Sequence, residues 1–595
     1  NHLNALRNVT LAGATGVYSA WRLDVRGGAF DFGGNSLTVN GGGEFSIVQS
    51  AVSNVTAETS VHVANGMMRF ETCDFQGSAA NLASAVSGSG VCLYQLTVPM
   101  QWSLQLADNA YFRVNNGNID TNLNVWAGPV TLESGTVRLN AISGGTASLT
   151  GVIGGDGGLL KEGDGWFWLL NPANTYAGAT TVTQGNLYAV SPASLGTSAA
   201  SALSVSGSGG LVVRAASGTS ADGWSKAEIE GIANASVFSA DGRTSFGIDT
   251  AYENLSYTED LPYVGFRKFG PYTLSLTGSA PDMGALSVYN GELDLSGSGS
   301  HNLRGNSVTV GMAPDAASLA VLRLASASLE TTDPGFNRGG PLLSVGSAAN
   351  SRGVLHIGEG ARANGRLFLG NEAGSAGAVY QTAGVVTNTG GSANDAAFGV
   401  SGYGYYRLDG GELACKGSTQ VGRLSGSAGV FEQRGGSLLI NPGSAPSVTG
   451  TIGDYYNGTF TTRKGVAAFL LSGGTFNLNA HSFQLGEWAN AGDYSDGNAS
   501  LTLENDAQAD VDYVILANRD GNAQGYLNLN GGSLTLKYIR KGGNNSSGNT
   551  AQAAVAFNGG TLRLTPVGHA VSSPVQPPRR KIPIAQKHKR RPLGA

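Results

Sequence analysis

Apolar and polar positions alternate along most of this chain, and the alternation keeps breaking at glycine. Tyr526 to Leu536 reads Y-L-N-L-N-G-G-S-L-T-L, with Leu527 and Leu529 before the break and Leu534 and Leu536 after it. Period two puts each pair of leucines on one face of an extended strand. Asn530-Gly531-Gly532 supplies residues that tolerate positive φ, so the chain turns sharply there. The local signal favours a β-hairpin with a two-residue primed turn. The other reading is the corner of a solenoid coil, where the chain passes from one sheet into the next.

Recurrence decides between them. Leu23 to Phe30, Leu37 to Gly42 and Val130 to Leu139 repeat the unit in the first 150 residues. Further on, small apolar-plus-Gly steps fall at Val310-Gly311, Val345-Gly346, Leu369-Gly370, Phe398-Gly399, Val421-Gly422, Ile452-Gly453 and Leu485-Gly486, then at Leu516-Ala517 and Lys541-Gly542. The intervals between their second residues are 35, 24, 29, 23, 31, 33, 31 and 25. Nearly every step is followed by a polar loop and then the opening unit. A period in this range marks a solenoid, whose units bury an apolar face only by stacking. The period outweighs the local hairpin signal. The chain is therefore read as an elongated all-β solenoid, with Leu529 facing its core.

Residues 154 to 190 carry a more specific pattern, G-G-D-G-G-L-L-K-E-G-D-G-W-F-W-L-L-N-P-A-N-T-Y-A-G-A-T-T-V-T-Q-G-N-L-Y-A-V. Gly158, Leu159 or Leu160, Lys161, Gly163 and Gly165 open it. Asn174, Tyr176, Gly178, Thr180 and Val182 form its middle, and Gly185 and Leu187 close it. This stretch resembles the autotransporter-associated β-strand repeat, also called the passenger-associated transport repeat. A weaker copy runs from Val264 to Leu295, with Gly265, Lys268 and Gly270 but without the Asn-x-Tyr-x-Gly element. The resemblance implies a right-handed parallel β-helix in a surface-exposed or secreted protein of a Gram-negative-type bacterium. It also implies repeats that serve export and folding rather than catalysis. The outer-membrane translocator of a complete autotransporter does not follow in this sequence.

Four regions result: N-terminal coils over 1–150, the two passenger-type copies within 151–300, repeats of about 29 residues over 301–565, and a tail over 566–595. Between the two copies, Ala221 to Ser236 leaves the β pattern and is read as a loop excursion with room for one short helix. The tail holds Pro566, Pro574, Pro577, Pro578, Pro583 and Pro592, which no ladder tolerates. It also holds Arg579, Arg580, Lys581, Lys587, Lys589, Arg590 and Arg591. Removing these 7 from 36 leaves 29 basic against 41 acidic residues, a body charge of −12. A disordered, solvated basic tail is expected, with no nucleic-acid partner.

Composition agrees with a solenoid. Gly makes up 91 of 595 residues and charged residues only 13%, yet an apolar content of 41% argues against wholesale disorder. Cys73, Cys92 and Cys415 have no metal spacing, so a disulfide framework is not the staple. Cys73 and Cys92 are read either as buried free thiols or as facing each other across neighbouring coils. Asn1 in place of Met points to a fragment or a processed chain.

The chemistry is sparse. Nucleophile-elbow, phosphate-loop and zinc-protease signatures are missing, and the seven histidines are scattered. No metal or cofactor is expected. Asp493, Asp496, Glu504, Asp506, Asp510 and Asp512 form the one acidic cluster, in which Asp510 and Asp512 share parity. Asp510, Asp512 and Glu504 are the candidates for a β-helical polysaccharide lyase or glycosidase. Such a site needs basic partners or a calcium loop, and neither accompanies them. Aromatic clusters at Trp166 and Trp168, at Tyr403, Tyr405 and Tyr406, and at Tyr455 and Tyr456 offer flat apolar area with polar edges for sugar contact. The first five are the candidate glycan contacts, although Trp166 and Trp168 would serve equally to plug a coil. The expected activity is non-enzymatic, an extracellular or cell-surface rod that adheres to a glycan or a host or matrix surface. The alternatives are the lyase or glycosidase and a structural filament component.

Overall fold

The computed structural model describes residues 5–566, apart from 116–123, 143, 198–201, 219–222, 235, 240–242, 298–300, 304–306, 332–341, 389–395, 416–418, 425, 441–459, 463–464, 479–481, 488–496, 519–522 and 543–551. Tail residues 567–595, Ile452-Gly453, Tyr455-Tyr456, Asp493 and Asp496 lie outside the described residues.

The chain winds into a parallel β-solenoid of about 19 turns. At about 4.8 Å per coil the ladder runs for roughly 90 Å. One 26-stranded sheet extends along the whole solenoid, beside a 7-stranded sheet in the N-terminal part and sheets of 12 and 11 strands in the C-terminal part. The opening unit shows how a coil is built. Gln524–Leu529 belongs to the 12-stranded sheet and Ser533–Leu536 to the 11-stranded one. Leu527 pairs with Leu501 and Val555, one coil away on either side, whereas Leu534 pairs with Ala509 and Leu562. The two strands are consecutive sides of one coil, so the unit is a corner and not a hairpin. Gly532 makes the corner at φ 67°, where a Cβ would stand 2.4 Å from the Ala507 carbonyl oxygen.

Stacking turns each strand position into a row. In the 12-stranded sheet one inward row runs Leu322, Leu355, Val379, Tyr406, Phe431, Phe469, Leu501, Leu527. The next inward row runs Leu324, Ile357, Gln381, Leu408, Gln433, Leu471, Leu503, Leu529. Leu527 and Leu529 are 0% and 1% exposed. Burying a leucine this fully is worth about 1.5–3 kcal/mol, and every coil repeats the gain against its neighbours.

The apolar-Gly steps end the strands of the long sheet. Val310, Val345, Leu369, Phe398 and Val421 form one row, and Gly311, Gly346, Gly370, Gly399 and Gly422 after them all have positive φ. Ala517 takes the same place at φ 50°. One step needs correction. The ladder position assigned to Ile452-Gly453 is held by Phe460–Thr462, which pairs with Thr419–Val421 and Phe483–Gln484. Along the ladder Phe460 stands between Thr419 and Phe483, and Phe483 pairs with Val514.

The expected excursion holds a helix, Lys226–Asn234. Ser225 and Glu228 start it as a capping box, with the Ser225 hydroxyl donating to Glu228 Oε2 at 2.7 Å and accepting from the Glu228 amide at 3.4 Å. Ile229 and Ile232 tuck its inner face against the core. Cys73, Cys92 and Cys415 are buried and form no disulfide, so Cys73 and Cys92 do not pair. Burial pushes the Cys92 thiol up to about 12.

Candidate ligand-binding faces

The passenger-type motif residues turn inward and tie coils together. Lys161 stands in an apolar row between Leu139 and Val182 and is fully buried. Its ammonium donates to the carbonyl oxygens of Glu162 at 2.9 Å, Gly163 at 2.8 Å and Gln184 at 2.9 Å, the last in the next coil. Lys268 repeats the device on Phe269, Gly270 and Asn290 at 2.7, 2.7 and 3.2 Å. All three donors of each lysine are thereby used. Burial pulls both amines down to about 7, against the weaker opposing pull of Asp164 and Glu162 on Lys161 and of Asp249 on Lys268.

The other motif positions work alike. Asn174 accepts from the Ile153 amide at 2.8 Å and donates to the Ser194 carbonyl at 2.8 Å, spanning three coils. The buried Tyr176 and Thr180 hydroxyls meet at 2.7 Å. Val182 and Leu187 are core, and Gly178 passes so close to Gly158 that a Cβ would lie 2.3 Å from its nitrogen. Gly163 and Gly185 both turn with positive φ. Gly165 accepts from the Asn186 amide of the next coil.

Sequence reasoning missed the equivalents in the C-terminal coils. Gln381 donates to the carbonyls of Gly384 at 3.2 Å and Glu412 at 2.9 Å, and Gln433 donates to those of Gly436 at 3.3 Å and Thr475 at 2.9 Å. The signal available was a lone Gln, twice, in a column otherwise filled by Leu, Ile or Phe, followed three residues later by Gly.

The acidic candidates do not sit in one row. Asp510 is exposed, and its neighbours along the ladder are Asn477 and Thr535. Asp512 pairs with Lys537 of the following coil at 2.5 Å. Glu504 is exposed and accepts from Asn530 at 3.4 Å. Among the described residues no group of three or more His, Cys, Asp or Glu is placed to hold a metal ion.

The aromatic candidates separate into two outer faces and the core. Trp166 and Trp168 point outward from Trp166–Leu169, while Phe167 between them is core. Trp168 stacks on Tyr188 of the next coil at 4.3 Å and contacts Trp166 at 5.9 Å. Trp166 in turn meets Phe269 edge-on at 5.8 Å, and Phe269 stacks on Tyr289 at 4.1 Å. These rings bridge several coils because the rows between them are floored by Gly210, Ser245 and Gly247. At this saddle the Tyr188 hydroxyl donates to Asp249 at 2.6 Å, and burial raises the Asp249 carboxyl above its usual range. Arg267 reaches across the same floor to the Asn186 side-chain oxygen.

The second face is a strip on the outside of the 12-stranded sheet. His356 stacks on Tyr380 at 5.3 Å, Tyr380 meets Tyr405 at 5.6 Å, and the Arg407 guanidinium lies over the Tyr380 ring at 5.9 Å. Tyr405 donates its hydroxyl to Glu432, and Tyr403 is 43% exposed. Ion pairs flank the rings: Arg323 with Glu292 at 3.1 Å, Arg407 with Asp409 at 2.8 Å, and Arg434 with Glu432 at 2.6 Å. Tyr406 has to be withdrawn as a surface contact. It is 0% exposed, stacks on Phe398 at 5.1 Å and donates its hydroxyl to Gln381. Period two puts Tyr403 and Tyr405 outside and Tyr406 inside.

No family model, curated protein or solved structure matches this chain. What the fold and its faces define is a class: a parallel β-solenoid with two aromatic outer surfaces.

Proposed function

We propose that this chain is a non-enzymatic, passenger-like β-solenoid, secreted or displayed at the surface of a Gram-negative-type bacterium, that holds glycan on its outer faces. The observation that carries the reading is the pair of partly exposed aromatic arrays standing on stacked, well-paired coils. Stacked coils repeat every ~4.8 Å, a spacing that suits a chain of sugar rings lying along the axis. Ring faces contribute apolar area, and the flanking carboxylates and guanidinium groups offer acceptors and donors to hydroxyls. The passenger-type motif supports the export setting, because its residues close corners and tie coils, a role in assembly.

Gel retardation of the purified protein in neutral and acidic polysaccharides tests the proposal, with product analysis of the same samples. Retardation without shortened chains is expected. Cleavage that disappears in Asp510→Ala would replace this reading with the lyase or glycosidase.

A further inference from the structure

We infer that the saddle holds an anion site at Arg267 that takes the carboxylate of an acidic sugar. The inference rests on the glycan-binding reading and specifies its ligand. Arg267 lies in the row Tyr188, Val212, Gly247, Arg267, with its side chain laid back across the small-residue floor. A Cβ on Gly210 would stand 3.4 Å from Arg267 Nη1 and 2.5 Å from Asn186 Oδ1, so the bare backbone there leaves the guanidinium its seat.

The guanidinium is short of partners. Nη1 donates to Asn186, an uncharged acceptor, and no carboxylate pairs with Arg267 among the described residues. Its Nε and Nη2 have no partner among the described residues, and they are not among the fully buried orphan atoms. Asp249, the carboxylate on the adjoining strand, is turned to Tyr188. The strip behaves differently, since Arg323, Arg407 and Arg434 each have a carboxylate within 3.1 Å.

A largely desolvated guanidinium without a counter-charge is costly, and a carboxylate supplied from outside relieves that cost. Nε and Nη2 form one edge of the planar fork, the edge that takes both oxygens of a carboxylate. Trp166 neighbours Asn186, the partner of Nη1, on the ladder, and it belongs with Trp168, Phe269 and Tyr289 to one group of half-buried, contacting rings. A ligand that presents a flat ring face and a carboxylate together is a uronic acid residue. An acidic peptide supplies the carboxylate without the ring face and is the disfavoured class.

The test uses the full chain with a galacturonate oligosaccharide, its carboxyl-reduced counterpart and a poly-glutamate peptide. Wild-type protein should bind the galacturonate and lose about ten-fold or more in affinity for the carboxyl-reduced form, the scale of a lost charge-assisted hydrogen-bond pair. Arg267→Gln should lose the same factor on the galacturonate and Arg267→Lys part of it. The carboxyl-reduced arm needs no variant, so it decides even if Arg267→Gln fails to fold. Equal binding of the two oligosaccharides would overturn the Arg267 site and leave the glycan reading standing. Preference for poly-glutamate would overturn the sugar assignment. Failure to bind any oligosaccharide, neutral ones included, would remove both.

Discussion

The saddle and the strip are both outer faces of stacked coils, and both are rich in aromatic rings, yet they are built by opposite means. In the saddle, rings from separate coils close over a floor of Gly210, Ser245 and Gly247 and bury one another; Tyr188 is 4% exposed. In the strip, rings alternate with ion pairs on successive coils, and Tyr403 remains 43% exposed. Even the coils beneath them differ. An ionisable lysine, Lys268, closes the corner under the saddle, and a neutral glutamine, Gln381, closes the one under the strip. The saddle is thus part packing and part surface, whereas the strip is surface. Removing rings from each should therefore show up in different measurements.

The largest effect should come from the core of the sheet that carries the strip. Leu529→Asp puts a charge into an inward row and should cost about 4 kcal/mol or more. The C-terminal coils should melt early in circular dichroism, while the tryptophan emission of the saddle changes little. Unchanged melting would mean that Leu529 faces solvent.

The two corner types differ next, through pH. The unfolded chain holds the protons of Lys161 and Lys268 up to about 10.5, and the folded chain releases them near 7. Between those values the unfolded state binds more protons at these two sites, so the lysines' contribution to stability should rise with pH from about 7 and level off above about 10.5. A rise on the order of a few kcal/mol is expected from urea titrations across that window. Lys161→Met with Lys268→Met should flatten the profile, at the cost of unpaired carbonyls. Gln381→Leu should leave its shape unchanged.

Ring removal then sharpens the contrast between the faces. Trp168→Ala should cost about 2 kcal/mol, because it unstacks Tyr188. Tyr403→Ala should stay within about 0.5 kcal/mol. Equal losses on thermal melting would erase the distinction. Among the corner changes, Gln381→Leu should cost about 3 kcal/mol: Ile357 and Leu408 on either side already fit a leucine row, but two carbonyls lose a donor and the buried Tyr406 hydroxyl loses its acceptor.

How much of this was legible depends on how local each feature is. Leu527, Leu529, Leu534 and Leu536 announce their faces by period two, and counting the copies distinguishes a corner from a hairpin. Tyr406 was misread as a surface ring, because its parity is decided only by a strand that runs unbroken through Tyr403–Leu408. The strand at Phe460–Thr462 was not legible, because Ile452-Gly453 nearby offers the same two-residue signature as the other steps. Lys161 drew attention through its motif, but its task of binding three carbonyls needs the coordinates of two coils. The saddle lay beyond sequence reading altogether. Trp166, Asn186, Arg267 and Phe269 come together only when several coils stack over small residues, and no spacing in the chain encodes that.

The most direct test of the account compares wild type, Trp168→Ala and Tyr405→Ala in binding isotherms on one retained glycan, with circular dichroism on the same samples. The account predicts that at least one variant loses most of its affinity while its coils remain folded and the glycan remains uncut. Wild-type affinity in both variants would contradict it.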